Sequence, residues 1–300
     1  MMKTTKLTIL AALVICGLML IPQAVSADEQ KSEPMANLAA VNSDTLVEKQ
    51  WALPLIPSFP VEDQQEVIVA VLDTGIDTAH EDLAGKVIDS VNFSKSDSAN
   101  DVQGHGTHIA GIIAANADNG IGVAGAAPNV KLLNVKIAED NGIVWASSVA
   151  NGIIWATDNG AAIINMSLTV PSNYQPLEEA VEYALSKGVV MVAAAGNHVK
   201  ALTYPAAYED VIAVAATNPD GTVWAESNDG DFVDVYAPGV GILSTYPGNQ
   251  YAFMSGSSMA TAYVTAVTAL AYNQVSDDNG NGMICDETAE LVESLFNAAE

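Results

Sequence analysis

Five short, largely apolar runs constrain what this chain can fold into more than any other feature. Residues 67–72, 130–137, 162–168, 189–195 and 211–216 are rich in Val, Ile, Leu and Ala with little polar alternation. That is the pattern of strands buried on both faces. Helix-length segments at 147–158 and 177–187 lie between them. Strand–helix alternation of this kind predicts an α/β fold, a mainly parallel central sheet with helices on both faces. Ligands of open α/β sheets gather beyond the carboxyl ends of the strands. Two such ends carry polar residues: Asp73, opening Asp73-Thr74-Gly75, and Asn197, closing Ala193-Ala194-Ala195-Gly196-Asn197.

The N-terminus reads as a targeting segment over residues 1–27. Lys3 and Lys6 form a positive start, residues 7–21 an apolar core, and Val25-Ser26-Ala27 a small-residue cleavage site. The apolar run is short for a bilayer span and is followed by Pro22, so no permanent membrane anchor is expected. Cys16 follows the bulky Ile15, which disfavours lipid attachment. The chain carries 36 acidic residues against 10 basic ones, a formal charge of −26, and has no arginine. Nucleic acids and anionic membranes are poor partners for such a surface. Cys285 is the one cysteine beyond the targeting segment, so no intrachain disulfide is expected there.

Two further stretches carry reactive side chains. Gly104-His105-Gly106-Thr107-His108 opens an apolar helix over residues 109–115, and Gly256-Ser257-Ser258-Met259-Ala260 runs into another over 264–272. A serine between a glycine turn and a helix start sits beside backbone N–H groups that can bind an oxyanion. Read alone, Asp73 is a helix cap, His105 a packing residue and Ser258 an N-cap turn. The His-x-x-His spacing lacks the glutamate of a catalytic zinc motif.

Taken together, Asp73-Thr74-Gly75, Gly104-His105-Gly106-Thr107-His108 and Gly256-Ser257-Ser258-Met259-Ala260 resemble the signature segments of subtilisin-like serine proteases, in that family's order. Asn165-Met166-Ser167-Leu168, Ala193 to Asn197 and Ala237-Pro238-Gly239 extend the resemblance over about residues 50–275. It implies that Ser258 is the nucleophile, His105 its base, Asp73 the residue that orients His105, and Asn197 an oxyanion donor. Substrate would lie against Ser167, Leu168, Thr169, Ala194, Gly196 and Thr203. Where the family has glycines after Ser167-Leu168, this chain has Thr169 and Val170. Their bulk predicts a narrowed pocket and a preference for small or medium apolar side chains.

The resemblance also implies calcium, held by the side chains of Asp82 and Asn119 with the backbone of Ile121 and Val123, an oxygen-rich set that suits Ca2+. A second loop, with Asp277, Asn279 and Asn281 at alternate positions before Gly282 and with Asp286 beyond, is similar to an EF-hand loop whose twelfth position is Thr288. The chain divides accordingly: a signal peptide (1–27), a short leader (28–46), the peptidase domain (47–275), and a calcium loop with a C-terminal helix (276–300). A secreted, monomeric serine endopeptidase acting on peptides or proteins is the expectation. The rival is a protease-shaped binding module without turnover. The leader is too short to fold alone, and it either plays no part in folding or lies in the cleft.

Overall fold

The computed structural model describes residues 24–26, 33–34, 46–57, 59, 66–197, 201–275 and 284–297. In chain order the strands begin with β1 (Ala24–Ser26), β2 (Glu33–Pro34), β3 (Ile68–Asp73), β4 (Val87–Asn92), β5 (Lys131–Lys136) and β6 (Ile143–Trp145). They continue with β7 (Ile163–Met166), β8 (Val190–Ala194), β9 (Val211–Thr217), β10 (Val235–Pro238), β11 (Ile242–Tyr246) and β12 (Gln250–Met254). The helices are α1 (His105–Ala114), α2 (Ala146–Asp158), α3 (Gln175–Leu185), α4 (Ser257–Tyr272) and α5 (Cys285–Asn297).

The central sheet has seven strands in the order β10-β9-β8-β7-β3-β5-β4, and every pairing in it is parallel. The predicted α/β architecture is therefore the observed one. Side chains along each strand alternate between two apolar layers. Val69, Val71, Ile163, Val190, Val192, Ile212 and Val214 pack with Ile109 and Ile113 of α1 and with Val264 and Val267 of α4. Ala70, Leu72, Ile164, Met191 and Ala213 pack with Val149 and Ile153 of α2 and with Leu177 and Val181 of α3. Burial on both faces explains why these strands read as continuous apolar runs.

Other features lie outside the apolar runs of the sequence. β4 is an edge strand, largely exposed, so its Asp89 and Ser90 broke any apolar run. β10 runs through Pro238, which is tolerated because this strand too lies at the sheet's edge. The β11–β12 hairpin belongs to a separate small sheet. α4 starts at Ser257, seven residues before its apolar run, because Ser, Met, Ala and Thr in its first turns are all buried. β1, in the stretch read as a signal peptide, pairs antiparallel with β6, and β2 pairs antiparallel with β12.

The chain leaves the central strand β3 toward β4 and β5 on one side, and later fills β7, β8, β9 and β10 on the other. The crevice beyond the carboxyl end of β3 is thus a topological switch point. Asp73 stands at its mouth.

Candidate active site

The Asp73 carboxylate is buried, and both of its bonds go to one oxygen: Oδ1 accepts the Thr74 N–H at 2.7 Å and lies 2.7 Å from Nδ1 of His105. Oδ2 has no hydrogen-bond partner among the described residues. Because the carboxylate only accepts, the proton between them sits on Nδ1, and Nε2 is the ring nitrogen not engaged by Asp73.

His105 is the first residue of α1, and the turn before it is held by Asp101. One Asp101 oxygen accepts the N–H groups of Gln103 (3.0 Å) and Gly104 (2.8 Å), and the other accepts from Thr107 N–H (2.9 Å) and its hydroxyl (2.7 Å). Burial still pushes the Asp101 carboxyl above its ordinary range, and the nearby Asp73 charge adds to the effect. The Thr74 hydroxyl donates to Asp101 at 3.0 Å and accepts the Gly106 N–H at 2.9 Å, tying β3 to α1. Gly106 permits the approach: a Cβ there would lie 2.1 Å from the Gly75 carbonyl oxygen and 3.0 Å from Asp73 Cβ.

Ser258 sits in the first turn of α4, 4% exposed, after the extended Gly256. Its hydroxyl donates to the Ser167 carbonyl at 3.2 Å, while the Ser167 hydroxyl donates to the Ser258 carbonyl at 3.0 Å. Asn197 lies one turn beyond β8, and its Oδ1 accepts the Ser257 N–H at 3.0 Å. With Oδ1 committed there, donation from Asn197 to an oxyanion comes from Nδ2. Asn228 supports this strand end, its side chain donating to Ala195 O at 2.8 Å and its N–H to Gly196 O at 2.8 Å.

The expected substrate-contact residues divide. A Cβ on Gly196 (φ +92°) would lie 2.9 Å from the Thr169 methyl and 3.5 Å from that of Thr203, so these two side chains flank one glycine. The Thr203 hydroxyl is taken up by Ala195 O at 2.8 Å. Leu168 and Ala194 are buried beside them. Val170 does not line the entrance: it is fully buried in the α2–α3 layer and pairs with Tyr204.

His108 belongs to the scaffold. It is fully buried, and Nε2 lies 3.1 Å and 3.0 Å from the carbonyls of Ile242 and Ala252. Two acceptors require an Nε2–H donor, and burial pushes its pKa down to about 3.

Of the expected calcium ligands, Asp82 is fully buried, and burial raises its carboxyl above the ordinary range. Asn119 Nδ2 (2.8 Å), Val123 N–H (2.9 Å) and Tyr251 OH (3.3 Å) all donate to it, and Asn119 Oδ1 accepts the Ile121 N–H at 2.8 Å. The residues converge as expected, but through N–H groups rather than oxygens. Asp82 and Asn119 each carry a side-chain oxygen of the kind a hard cation takes, and in this arrangement those oxygens accept N–H groups of the protein. Among the described residues no group of three or more His, Cys, Asp or Glu side chains is placed to hold a metal. Asp277, Asn279 and Asn281 lie outside the described residues. Asp286 is exposed in the first turn of α5, accepting from the Cys285 thiol at 3.4 Å.

Asp101 and Thr74 escaped the sequence reading. Asp101 left a usable signal, a short carboxylate four residues before a helix start. Thr74 and Ser257 stand inside the quoted motifs, but their side-chain and backbone roles, like those of Asn228, depend on partners distant in sequence.

The parallel sheet carries a buried Asp73–His105 pair at its switch point, and Ser258 stands in the first turn of the buried helix α4, an arrangement that fits the serine-hydrolase class of α/β proteins. Comparison with known families narrows this: the subtilase family (Peptidase_S8) model matches residues 64–293. The chain is 45% identical over 226 residues to the thermophilic serine proteinase of Bacillus sp. (strain AK1), covering 75% of this chain and 56% of that protein. It is 42% identical over 226 residues to thermitase of Thermoactinomyces vulgaris, covering 75% and 81%. Against subtilisin DY of Bacillus licheniformis the identity is 42% over 230 residues, covering 73% and 83%. This chain belongs to the subtilase family.

Proposed function

We propose that the protein is a serine endopeptidase that hydrolyses peptide bonds through Asp73, His105 and Ser258. The observation that carries the reading is the buried 2.7 Å contact between His105 Nδ1 and Asp73 Oδ1, which fixes the ring through Nδ1 and leaves Nε2 to take the serine proton. A peptide laid along Ser167–Thr169 offers its N–H to the Ser167 carbonyl and so releases the Ser258 hydroxyl toward His105. Ser258 Oγ then bonds to the scissile carbonyl carbon as its proton passes to His105 Nε2. Asp73 stabilises the imidazolium, and Asn197 Nδ2 with the Ser258 backbone N–H receives the oxyanion. Collapse breaks the C–N bond, with the His105 proton going to the leaving amine, and water repeats the sequence on the acyl-enzyme. A serine-directed fluorophosphonate tests this: the folded protein labels and Ser258→Ala does not. Absence of labelling in the folded wild-type chain overturns the reading.

Thr169 and Thr203 limit the pocket to small or medium apolar side chains. Rapid cleavage after Phe, Tyr or Lys in a peptide-library digest would count against that. Calcium supplies structural stability when bound, with Asp82, Asn119 and the Ile121 and Val123 backbone as its loop, and with residues 277–286 as a second loop. Secretion follows from cleavage after Ala27, which N-terminal sequencing of exported protein checks. Among the described residues no helix is long and apolar enough to cross a membrane.

A further inference from the structure

Lys136 ends β5 and lies opposite Asp73 in the parallel register. Its side chain has 0% exposure, a rare state for an ammonium group, which loses its hydration there and persists only when paired. Two acceptors hold it: the Thr74 carbonyl and Asp140 Oδ1 at 2.9 Å, on a side chain that is 49% exposed.

Thr74 is the residue through which the site is assembled. Its N–H holds Asp73 Oδ1, its hydroxyl donates to Asp101, and the same hydroxyl accepts the Gly106 N–H one residue after His105. Lys136 fixes the remaining polar group, the carbonyl. It also brings a buried positive charge to a region holding two buried carboxylates, Asp73 and Asp101. We infer that Lys136, with Asp140 as its counter-ion, is a positioning residue for the Asp73–His105 pair, acting through the Thr74 backbone. This rests on the peptidase reading above.

The test is the pH profile of kcat/KM on a peptide substrate, whose acid limb reports the free enzyme's base. The charged and titratable groups around His105 are Asp73 from β3, Asp101 before α1, His108 from α1 (neutral through burial), Lys136 ending β5 and Asp140 beyond it. Removing the cation favours the imidazolium, so Lys136→Met moves the limb up by about half a unit and lowers kcat/KM by about tenfold. Lys136→Arg keeps the charge and returns the limb to its wild-type position. Asp140→Asn leaves the cation without its counter-ion and moves the limb down, by less because Asp140 is half exposed to screening solvent.

A Lys136→Met protein with native circular dichroism, an unmoved limb and kcat/KM within about twofold of wild type overturns the inference. Should Lys136→Met not fold, Asp140→Asn decides, and an unmoved limb there overturns it. Wild-type protein that neither labels with fluorophosphonate nor cleaves peptides sinks the peptidase reading itself. Labelling and cleavage by the wild type, with an unmoved limb and kcat/KM within about twofold in Lys136→Met, sinks only the role of Lys136.

Discussion

At the amide of Asn197 a single hydrogen bond decides which atom can serve the reaction. The Ser257 N–H takes Oδ1 at 3.0 Å, so the donor end of the amide is the end that can meet an oxyanion. Asn197→Leu keeps the volume and removes the donor. We expect kcat to fall by about 10²–10³, a magnitude taken from oxyanion-hole variants of subtilisin. Fluorophosphonate labelling of Ser258 should persist at a slower rate. A fall of less than about threefold in stopped-assay kcat would remove Asn197 from the oxyanion site.

Elements are stitched together around the site by groups that take no part in chemistry. His108 ties α1 to β11 and β12 through two carbonyls, and burial keeps it neutral, with its pKa pushed down to about 3. In the unfolded chain the ring protonates below about pH 6.5. Its folded pKa is therefore depressed, and the unfolded state binds the extra proton between about 6.5 and 3. The folded state loses stability as pH falls through that window, by about 1.4 kcal/mol per unit. Urea titrations at several pH values should show this slope in the wild type and a flatter one in His108→Gln. Equal slopes would place the acid sensitivity elsewhere.

The two short N-terminal strands give a second prediction at this scale. β1 adds to β6, which follows the strand end beside Asp73, and β2 adds to β12, which leads into the Ser258 turn. Extended peptides bind by the same edge pairing. Unprocessed protein, which retains residues 24–34, should therefore cleave a peptide substrate more slowly than protein beginning after Pro34; cleavage after Ala27 removes β1 and leaves β2. Equal rates for the two forms would mean that the N-terminal strands do not compete with substrate.

Over the whole molecule, a formal charge of −26 leaves few lysines to offset the carboxylates, and such self-repulsion weakens the compact state. Asp82 is the sharpest local case, a buried carboxylate met only by hydrogen-bond donors. Calcium, were it to bind the folded state alone, would stabilise it by mass action, by about 2.7 kcal/mol at a hundredfold excess over Kd, and so raise the melting temperature. A calorimetric scan with calcium and then with chelator should show this shift, reduced in Asp82→Asn. A shift unchanged in Asp82→Asn would move the site to residues 277–286.

The sequence by itself determined the sheet and, through its resemblance to a family, singled out the residues proposed to react. Strands buried on both faces leave continuous apolar runs, and short motifs at strand ends and helix starts mark Asp73, His105, Asn197 and Ser258. It could not reveal the edge strand β4, whose exposed face carries Asp89 and Ser90, nor the depth to which α4 is buried from Ser257 onward. Only the tertiary structure decided which supporting groups hold the site. Thr74, Asp101, Lys136, Ser257 and Asn228 act through partners brought near by strand register and helix packing. It also turned Val170 into the core while leaving Thr169 against Gly196. Local sequence carries the period of burial and the chemistry of a motif. The direction of a side chain depends on what the fold places across from it.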